Sequence, residues 1–134
     1  MILVTGATGT NGSELVRRLS AKGVPVRALV RDAAKADALR GLAGVEIVEG
    51  DLLRSATLAG PLKGVERAML ISSSMPDMVE VQCSFIEAAK LAGVKHVVKL
   101  SGIMPDLDSP FRFAASNPRP RSEAGHLVLR PMLQ

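Results

Sequence analysis

The sequence contains no tyrosine and no tryptophan, and three phenylalanines are its only aromatic residues. Hydrophobic residues nevertheless make up 47% of the chain. A chain of this composition can bury a core, and that core must be aliphatic and rich in alanine. The length of 134 residues predicts one domain.

Cysteine is almost absent as well, since Cys83 is the only one in the chain. A single cysteine excludes an internal disulfide and agrees with a reducing compartment. Cys83 falls in the middle of a predicted helix with no evident base beside it, so we expect a small packed residue and not a nucleophile.

No run of 18 apolar residues occurs, so the sequence predicts no membrane span. Residues 1–20 are interrupted by glycines and begin the fold itself, which does not fit a signal peptide. We therefore expect a cytoplasmic protein.

The formal net charge is +4 and the sequence pI is about 9.7. Acidic residues separate most of the basic ones, and no basic face with interleaved aromatics is present, so nucleic-acid binding is not expected. His96 and His126 are far apart and no CxxC pair exists, so a metal site is not expected either. Most of the excess basic side chains are expected to lie on the solvated surface, and a few are available to bind a phosphorylated ligand.

The most informative segment is the first dozen residues. Apolar, β-prone residues 2–4 and Thr5 lead into a loop with glycines at positions 6, 9 and 12, and a helical pattern follows at once. Gly6 allows a tight turn, Gly9 lets the backbone approach a diphosphate, and Gly12 allows the helix to pack closely on its strand. The free amides of the helix's first turn favour a bound phosphate.

Strand and helix patterns alternate along the chain, which predicts an α/β fold with a doubly wound parallel sheet of about six strands. With the glycine loop, this pattern predicts the NAD(P)-binding Rossmann architecture; the alternative for the loop is an ordinary strand-to-helix turn. The pattern is regular to about residue 104 and irregular over 105–125, where prolines are frequent. Strands are predicted at 2–5, 25–30, 45–49, 66–71, 95–100 and 126–130, and helices at 10–22, 33–42, 55–62 and 76–92.

Ligands of such a sheet bind beyond the carboxyl ends of the strands. Arg31 ends the second strand, where an acidic residue would hold the 2′-hydroxyl of NAD. Arginine there suits the 2′-phosphate of NADP, and Lys35 adds positive charge, so we expect NADP to be preferred over NAD. The alternative is a solvated arginine paired with Asp32, which also serves as a cap for the next helix.

Polar residues also follow the later strands. Asp51 is placed to accept from the adenine amino group while the backbone of Leu52 meets the ring; the alternative role for Asp51 is capping toward Ser55. Ser72, Ser73 and Ser74 would lie beside the diphosphate and the nicotinamide ribose. Ser101, after the fifth strand, is a weak candidate for a catalytic hydroxyl.

Taken together, the chain resembles the NmrA-like branch of the atypical short-chain dehydrogenase/reductase family, together with NAD(P)H-dependent quinone oxidoreductases. The matching segments are VTGATGTNG at 4–12, RALVR at 27–31, EGDL at 49–52, FIEAAKLAGV at 85–94, HVVKLS at 96–101 and LRP at 129–131. The resemblance implies a Rossmann fold with NADPH held by Gly6, Thr8, Gly9, Thr10, Asn11, Gly12, Arg31, Asp51, Leu52 and the serines at 72–74.

The chain departs from the family in three ways. It lacks the Tyr-x-x-x-Lys pair of the short-chain dehydrogenases, in which lysine lowers the pKa of tyrosine for proton transfer. A proline-broken segment at 117–121 replaces the helix before the last strand. The smaller C-terminal substrate domain of the family is expected to be absent after Gln134.

Three functions remain open. The first is an oxidoreductase that transfers hydride from NADPH to a quinone or a small carbonyl compound, since the cofactor carries that chemistry. The second is a non-catalytic redox sensor that binds NADP and reports to a protein partner, as NmrA-like regulators do. The third is an incomplete fragment that dimerises or meets a partner through the 104–134 region, whose apolar residues would form a contact surface.

Overall fold

The computed structural model describes residues 1–73 and 76–100. Five strands and three α-helices alternate in these residues, with three short 3₁₀ turns between them. The strands are β1 (Ile2–Val4), β2 (Val26–Val30), β3 (Val45–Glu49), β4 (Arg67–Leu70) and β5 (His96–Lys99). The helices are α1 (Thr10–Ala21), α2 (Ala59–Leu62) and α3 (Met78–Leu91).

The five strands form one parallel sheet in the order β3-β2-β1-β4-β5. The chain first moves outward from β1 to β3 and then returns to place β4 on the other side of β1. The strand order therefore reverses between β1 and β4, and in open α/β sheets this is where a crevice forms. The predicted doubly wound parallel fold is confirmed.

The sheet is covered on both faces, which explains why its strands are apolar on both sides. Alternation along β1 sends Leu3 to one face and Val4 to the other. Leu3 belongs to a buried cluster that includes Phe85 and Ala89 of α3 and Leu62 of α2. Val4 belongs to a second cluster that includes Val16 of α1.

One of the helical predictions was wrong. Residues 33–42 form two 3₁₀ turns, Ala33–Lys35 and Asp37–Leu39, and not one helix. Ala36 and Leu39 are both buried, and the three-residue spacing between them matches the period of a 3₁₀ turn. The helical segment predicted at 55–62 is confirmed: a 3₁₀ turn at Ser55–Leu58 leads directly into α2, which contains Gly60 and Pro61.

The spacing of apolar residues predicts a buried stripe of Met78, Val81, Phe85, Ala88, Ala89 and Ala92 on α3, and the structure differs from this prediction. The buried residues are Met78, Gln82, Phe85 and Ala89. Gln82 was not expected in the stripe, and Ala92 is exposed outside the helix. Cys83, expected to be packed, is exposed on α3.

The irregular segment predicted at 105–125 and the sixth strand predicted at 126–130 lie outside the described residues, as do Ser74, Ser101 and the proposed contact surface at 104–134. Among the helices of residues 1–73 and 76–100, none is long and apolar enough to cross a bilayer.

Arg27 joins the sheet to the helical layer at the amino end of the strands. Its side chain is only 15% exposed. Its Nη1 donates to the carbonyls of Pro61 and Lys63 at 2.7 Å each, and its Nε donates to Glu46 Oε2 at 2.8 Å. The two carbonyls lie at the end of α2, where backbone acceptors have no partner within the helix.

Replacing Arg27 with methionine should lower the free energy of unfolding by about 2 to 3 kcal/mol, because two carbonyls and Glu46 lose a charged donor. Urea unfolding of the two proteins measures this difference. The matched control is Arg18→Met on the exposed face of α1, which removes only the exposed ion pair with Glu14 and should leave the unfolding midpoint unchanged. Equal effects of the two substitutions would show that Arg27 does not hold α2.

Candidate functional site

The loop between β1 and α1 is a tight turn held by its own backbone. Gly6 has a φ of +59°, in the left-handed region that residues with a Cβ rarely adopt. The Gly9 amide donates to the Gly6 carbonyl at 3.0 Å, and the Ser13 amide donates to the Gly9 carbonyl at 2.8 Å. The turn carries the chain directly from the end of β1 into α1.

The three glycines of this loop have different surroundings. A Cβ built on Gly12 would lie 2.0 Å from the Gly6 carbonyl oxygen, and one built on Gly6 would lie 2.9 Å from the Ile71 carbonyl oxygen. A Cβ on Gly9 would meet only the Gly6 carbonyl oxygen, at 3.3 Å, among the described residues. Gly12 was expected to permit close packing of α1 on its strand, but the backbone that it approaches is that of the loop. Gly6 and Gly12 thus allow close backbone packing, whereas a Cβ on Gly9 would make a single tight contact.

The N-terminus of α1 carries no capping side chain, since its cap is Gly9. The helix predicted at 10–22 has Ser13 and Glu14 in its first turn, but in the structure the first turn of α1 contains no acidic residue. Glu14 instead accepts from Arg18 Nε at 2.7 Å and lies 3.8 Å from Arg17 Nη1. The hydrogen bond and charge of Arg18 lower the pKa of Glu14. The positive end of the helix dipole is therefore left without a neutralising carboxylate.

Thr5 joins β1 to β4 where the strand order reverses, a role that sequence reasoning missed. Its side chain is fully buried. Its Oγ1 donates to the Ile71 carbonyl at 2.8 Å and accepts from the Ile71 amide at 2.7 Å. The Thr5 hydroxyl thus replaces one step of the backbone ladder just before Gly6 turns away. A hydroxyl residue at the buried end of a strand, directly before glycine, is the signal that could have revealed it.

Arg31 is exposed at the carboxyl end of β2, and no ion pair joins it to another described residue. The alternative of a pair with Asp32 is not found there. Asp32 accepts from the Ala34 amide at 2.9 Å, which confirms it as a cap. Glu49, which the sequence did not single out for this contact, accepts from the Ala33 amide at 2.9 Å. Both carboxylates are thus bound to the backbone that follows Arg31.

A cleft of about 500 Å³ runs between the start of α1 and the turns that follow β2. It brings together three predicted site residues, Thr8, Thr10 and Lys35. Its remaining lining was not predicted and consists of Ser13, Glu14, Arg17, Ala36, Ala38 and Leu39. Arg31, Asp51, Leu52, Ser72 and Ser73 do not line this cleft.

Asp51 organises the turn after β3. Its Oδ1 accepts from the Leu53 amide at 3.0 Å, and its own amide donates to Thr57 Oγ1 at 2.9 Å. The alternative role of capping toward Ser55 is not found, because the cap of that turn is Arg54, which makes no side-chain capping bond. Leu52 is half-buried against the α3 side of the core.

Ser72 follows β4 and accepts a hydrogen bond from Gln82 Nε2 at 2.7 Å. Gln82 lies on α3 and is 7% exposed. Ser73 is exposed. The sequence did not predict the role of Gln82, because the apolar spacing on α3 predicts a buried stripe made only of apolar residues. A glutamine at stripe spacing between Met78 and Phe85 is the signal that could have identified it.

The remaining polar residues of β5 are peripheral. His96 is exposed on β5, which is an edge strand of the described sheet. Lys99 is partly buried, and this burial lowers its pKa. Residues 1–73 and 76–100 contain no group of three or more His, Cys, Asp or Glu that could hold a metal ion.

The parallel sheet, the strand reversal beside β1 and the glycine loop define an α/β domain of the Rossmann type. The model of the NmrA-like family matches residues 1–110, and the chain belongs to that family. NAD(P)H azoreductase of Xenophilus azovorans is 44% identical over 128 residues, which are 93% of this chain and 44% of the azoreductase.

Solved structures agree with this assignment. An NADPH complex of the Escherichia coli NADPH-dependent quinone oxidoreductase has a TM-score of 0.75 and 38% identity, over 87% of this chain and 41% of that one. NmrA, a negative transcriptional regulator in complex with NAD, has a TM-score of 0.70 and 27% identity, over 81% of this chain and 36% of that one. The chain thus spans less than half the length of these proteins.

Gly12→Ala should lower the free energy of unfolding by about 3 kcal/mol, because the new Cβ must displace α1 from the Gly6 carbonyl. Thermal unfolding monitored by circular dichroism measures the loss. The control is Gly60→Ala in α2, where no described atom lies within 4 Å of the added Cβ. That change should leave stability equal or raise it by about 0.5 to 1 kcal/mol. A Gly12 variant as stable as the Gly60 variant would contradict the packing described here.

Proposed function

We propose that this chain binds NADP(H) at the carboxyl end of its sheet and serves as the cofactor-holding part of an NADPH-dependent oxidoreductase. The observation that carries the proposal is the open N-terminus of α1. Its first turn has no side-chain cap and no acidic residue, and it stands beside Gly9 at the strand reversal. Free helix amides in this position bind the diphosphate of a dinucleotide.

The residues fit such a cofactor. Gly12 brings α1 against the Gly6 carbonyl, and Gly6 packs against the Ile71 carbonyl after β4, so that a Cβ on either would collide with backbone. The diphosphate would be held by the loop and the start of α1, with Thr8, Thr10 and Asn11 contributing. Asp51 and Leu52 would meet the adenine, and Ser72 to Ser74 the diphosphate and nicotinamide ribose.

The preference for NADP over NAD rests on charge at the end of β2. Arg31 has no ion-pair partner among the described residues, and Lys35 lines the cleft beside Thr8 and Thr10. The nearby carboxylates of Asp32 and Glu49 already accept from the Ala34 and Ala33 amides. Since those amides are occupied, a 2′-phosphate would be held by the Arg31 and Lys35 side chains.

The proposed reaction is reduction of a quinone or a small carbonyl compound, to which bound NADPH would supply the hydride. The similarity to the azoreductase and the quinone oxidoreductase supports this class. The chain has no tyrosine to move a proton, so its contribution is to bind and orient the cofactor. Ser101 remains a predicted candidate for a catalytic hydroxyl.

The second candidate is an NADP-binding redox sensor that acts on a protein partner. The absence of tyrosine and the similarity to the NmrA regulator favour it. A quinone reduction assay with NADPH separates the two. Turnover that is lost in Ser101→Ala supports the enzyme, and tight binding without turnover on quinones or carbonyl compounds supports the sensor.

The binding site itself is tested by calorimetric titration of the 134-residue chain with NADPH. We expect saturable binding to the natural chain and strong loss of binding in Gly9→Ala. Gly9 has a φ of −79°, and its Cβ would meet only the Gly6 carbonyl oxygen, at 3.3 Å, so this variant should lose far less thermal stability than Gly12→Ala. No binding to the natural chain, or equal binding by both proteins, contradicts the proposed phosphate site.

Cofactor preference is tested by Arg31→Ala. We expect NADPH affinity to fall by about 10- to 100-fold, because a charge-assisted contact with phosphate contributes about 1.5 to 3 kcal/mol. NADH affinity should change little. Arg67→Ala is the matched control, since Arg67 is exposed at the amino end of β4 and its loss changes the net charge equally. Equal losses for NADPH and NADH would remove Arg31 from this role.

A further inference from the structure

Gln82 occupies a position where an apolar side chain would be expected. It lies between Met78 and Phe85 in the buried stripe of α3, and its own side chain is 7% exposed. Burying an amide costs free energy unless the amide is hydrogen-bonded. The described partner of this amide is the Ser72 hydroxyl, at 2.7 Å. The side-chain amide of Gln82 is therefore hydrogen-bonded to Ser72, which follows the end of β4.

The direction of this hydrogen bond decides what Ser72 can offer to a ligand. The amide nitrogen of Gln82 only donates, so Ser72 Oγ is the acceptor. The Ser72 hydroxyl hydrogen is then directed away from Gln82. Ser72 is only partly buried.

Ser72 also stands at the strand reversal. It directly follows Ile71, whose carbonyl accepts from Thr5 Oγ1 and lies 2.9 Å from the position of a Cβ on Gly6. The backbone that leads into Ser72 is thus fixed against the start of the phosphate loop. The Ser72 hydroxyl is therefore held one residue beyond Ile71, the residue through which the end of β4 contacts this loop.

We propose that Gln82 is a positioning residue that holds Ser72 as a hydrogen-bond donor toward an oxygen acceptor of the bound dinucleotide. This inference rests on the proposed NADP(H) site. Gln82 itself does not touch the cofactor; it acts by occupying a lone pair of Ser72 Oγ, which leaves the hydroxyl hydrogen for a phosphate or ribose oxygen.

The first test is a double-mutant cycle, with NADP⁺ affinity measured by calorimetry. Ser72→Ala should weaken binding by about 10-fold, and Gln82→Met by about 3- to 5-fold, since the serine hydroxyl then loses its fixed direction. The double variant should bind no more weakly than Ser72→Ala alone. Methionine fills a similar volume and leaves no buried amide, so the thermal stability of Gln82→Met should equal or exceed that of the natural chain.

The second test reverses the hydrogen bond. In Gln82→Glu the ionised carboxylate can only accept, so Ser72 would donate to it and be lost to the cofactor. Affinity should fall by about 10-fold near pH 8. Burial raises the pKa of a carboxyl group, and a protonated carboxyl donates as the amide does. Affinity should therefore recover toward that of the natural chain as the pH falls to about 5.5.

Cys83→Glu is the control for charge, because Cys83 is exposed on the same helix and the substitution adds one carboxylate without reaching Ser72. Its effect on NADP⁺ affinity should be small, with no recovery at low pH. A Gln82→Glu variant with natural affinity near pH 8, or additive losses in the cycle, would overturn the proposal.

The outcomes also separate this inference from the function on which it rests. NADP⁺ binding that depends on Arg31 but not on Gln82 would reject the positioning role and leave the cofactor site standing. A natural chain that does not bind NADP⁺ would reject both.

Discussion

The approach of α1 to the Gly6 carbonyl at Gly12 is the contact on which the site depends. A Cβ at position 12 would lie 2.0 Å from that oxygen, well inside van der Waals distance, so any other residue must move the helix or the loop. Because α1 begins at Thr10, such a movement would carry the free amides of its first turn away from the end of β1. The packing of two backbone segments thus sets the position of the predicted anion site.

The strand reversal between β1 and β4 places this contact where open α/β sheets form a crevice. Thr5 binds both backbone groups of Ile71, so the carboxyl ends of β1 and β4 are joined at the point where their chains diverge. The chain from β1 enters the glycine loop, and the chain from β4 enters Ser72. Segments far apart in sequence are therefore brought together at the carboxyl end of the sheet, which is where open α/β sheets bind their ligands.

The charge balance around this crevice also follows from the fold. Asp32 and Glu49 bind backbone amides, and Glu14 binds arginines along α1, so three carboxylates near the site are already engaged. The cationic side chains of Arg31 and Lys35 have no ion-pair partners among the described residues. The +4 net charge alone could not reveal this, since it does not say which acidic groups are occupied.

The sequence by itself determined the family, the alternation of strands and helices, the parallel sheet and the glycine loop, because these follow from local periodicity and from backbone conformations that only glycine allows. It did not determine the 3₁₀ turns after β2. The residues there have a high propensity for α-helix, yet they form two 3₁₀ turns that bury Ala36 and Leu39. Nor did it reveal Thr5, Glu49 or Gln82, whose roles depend on partners brought together by the fold. Hydrogen-bond partners 10 to 66 residues apart are decided by the tertiary structure, since no local pattern encodes which groups will meet.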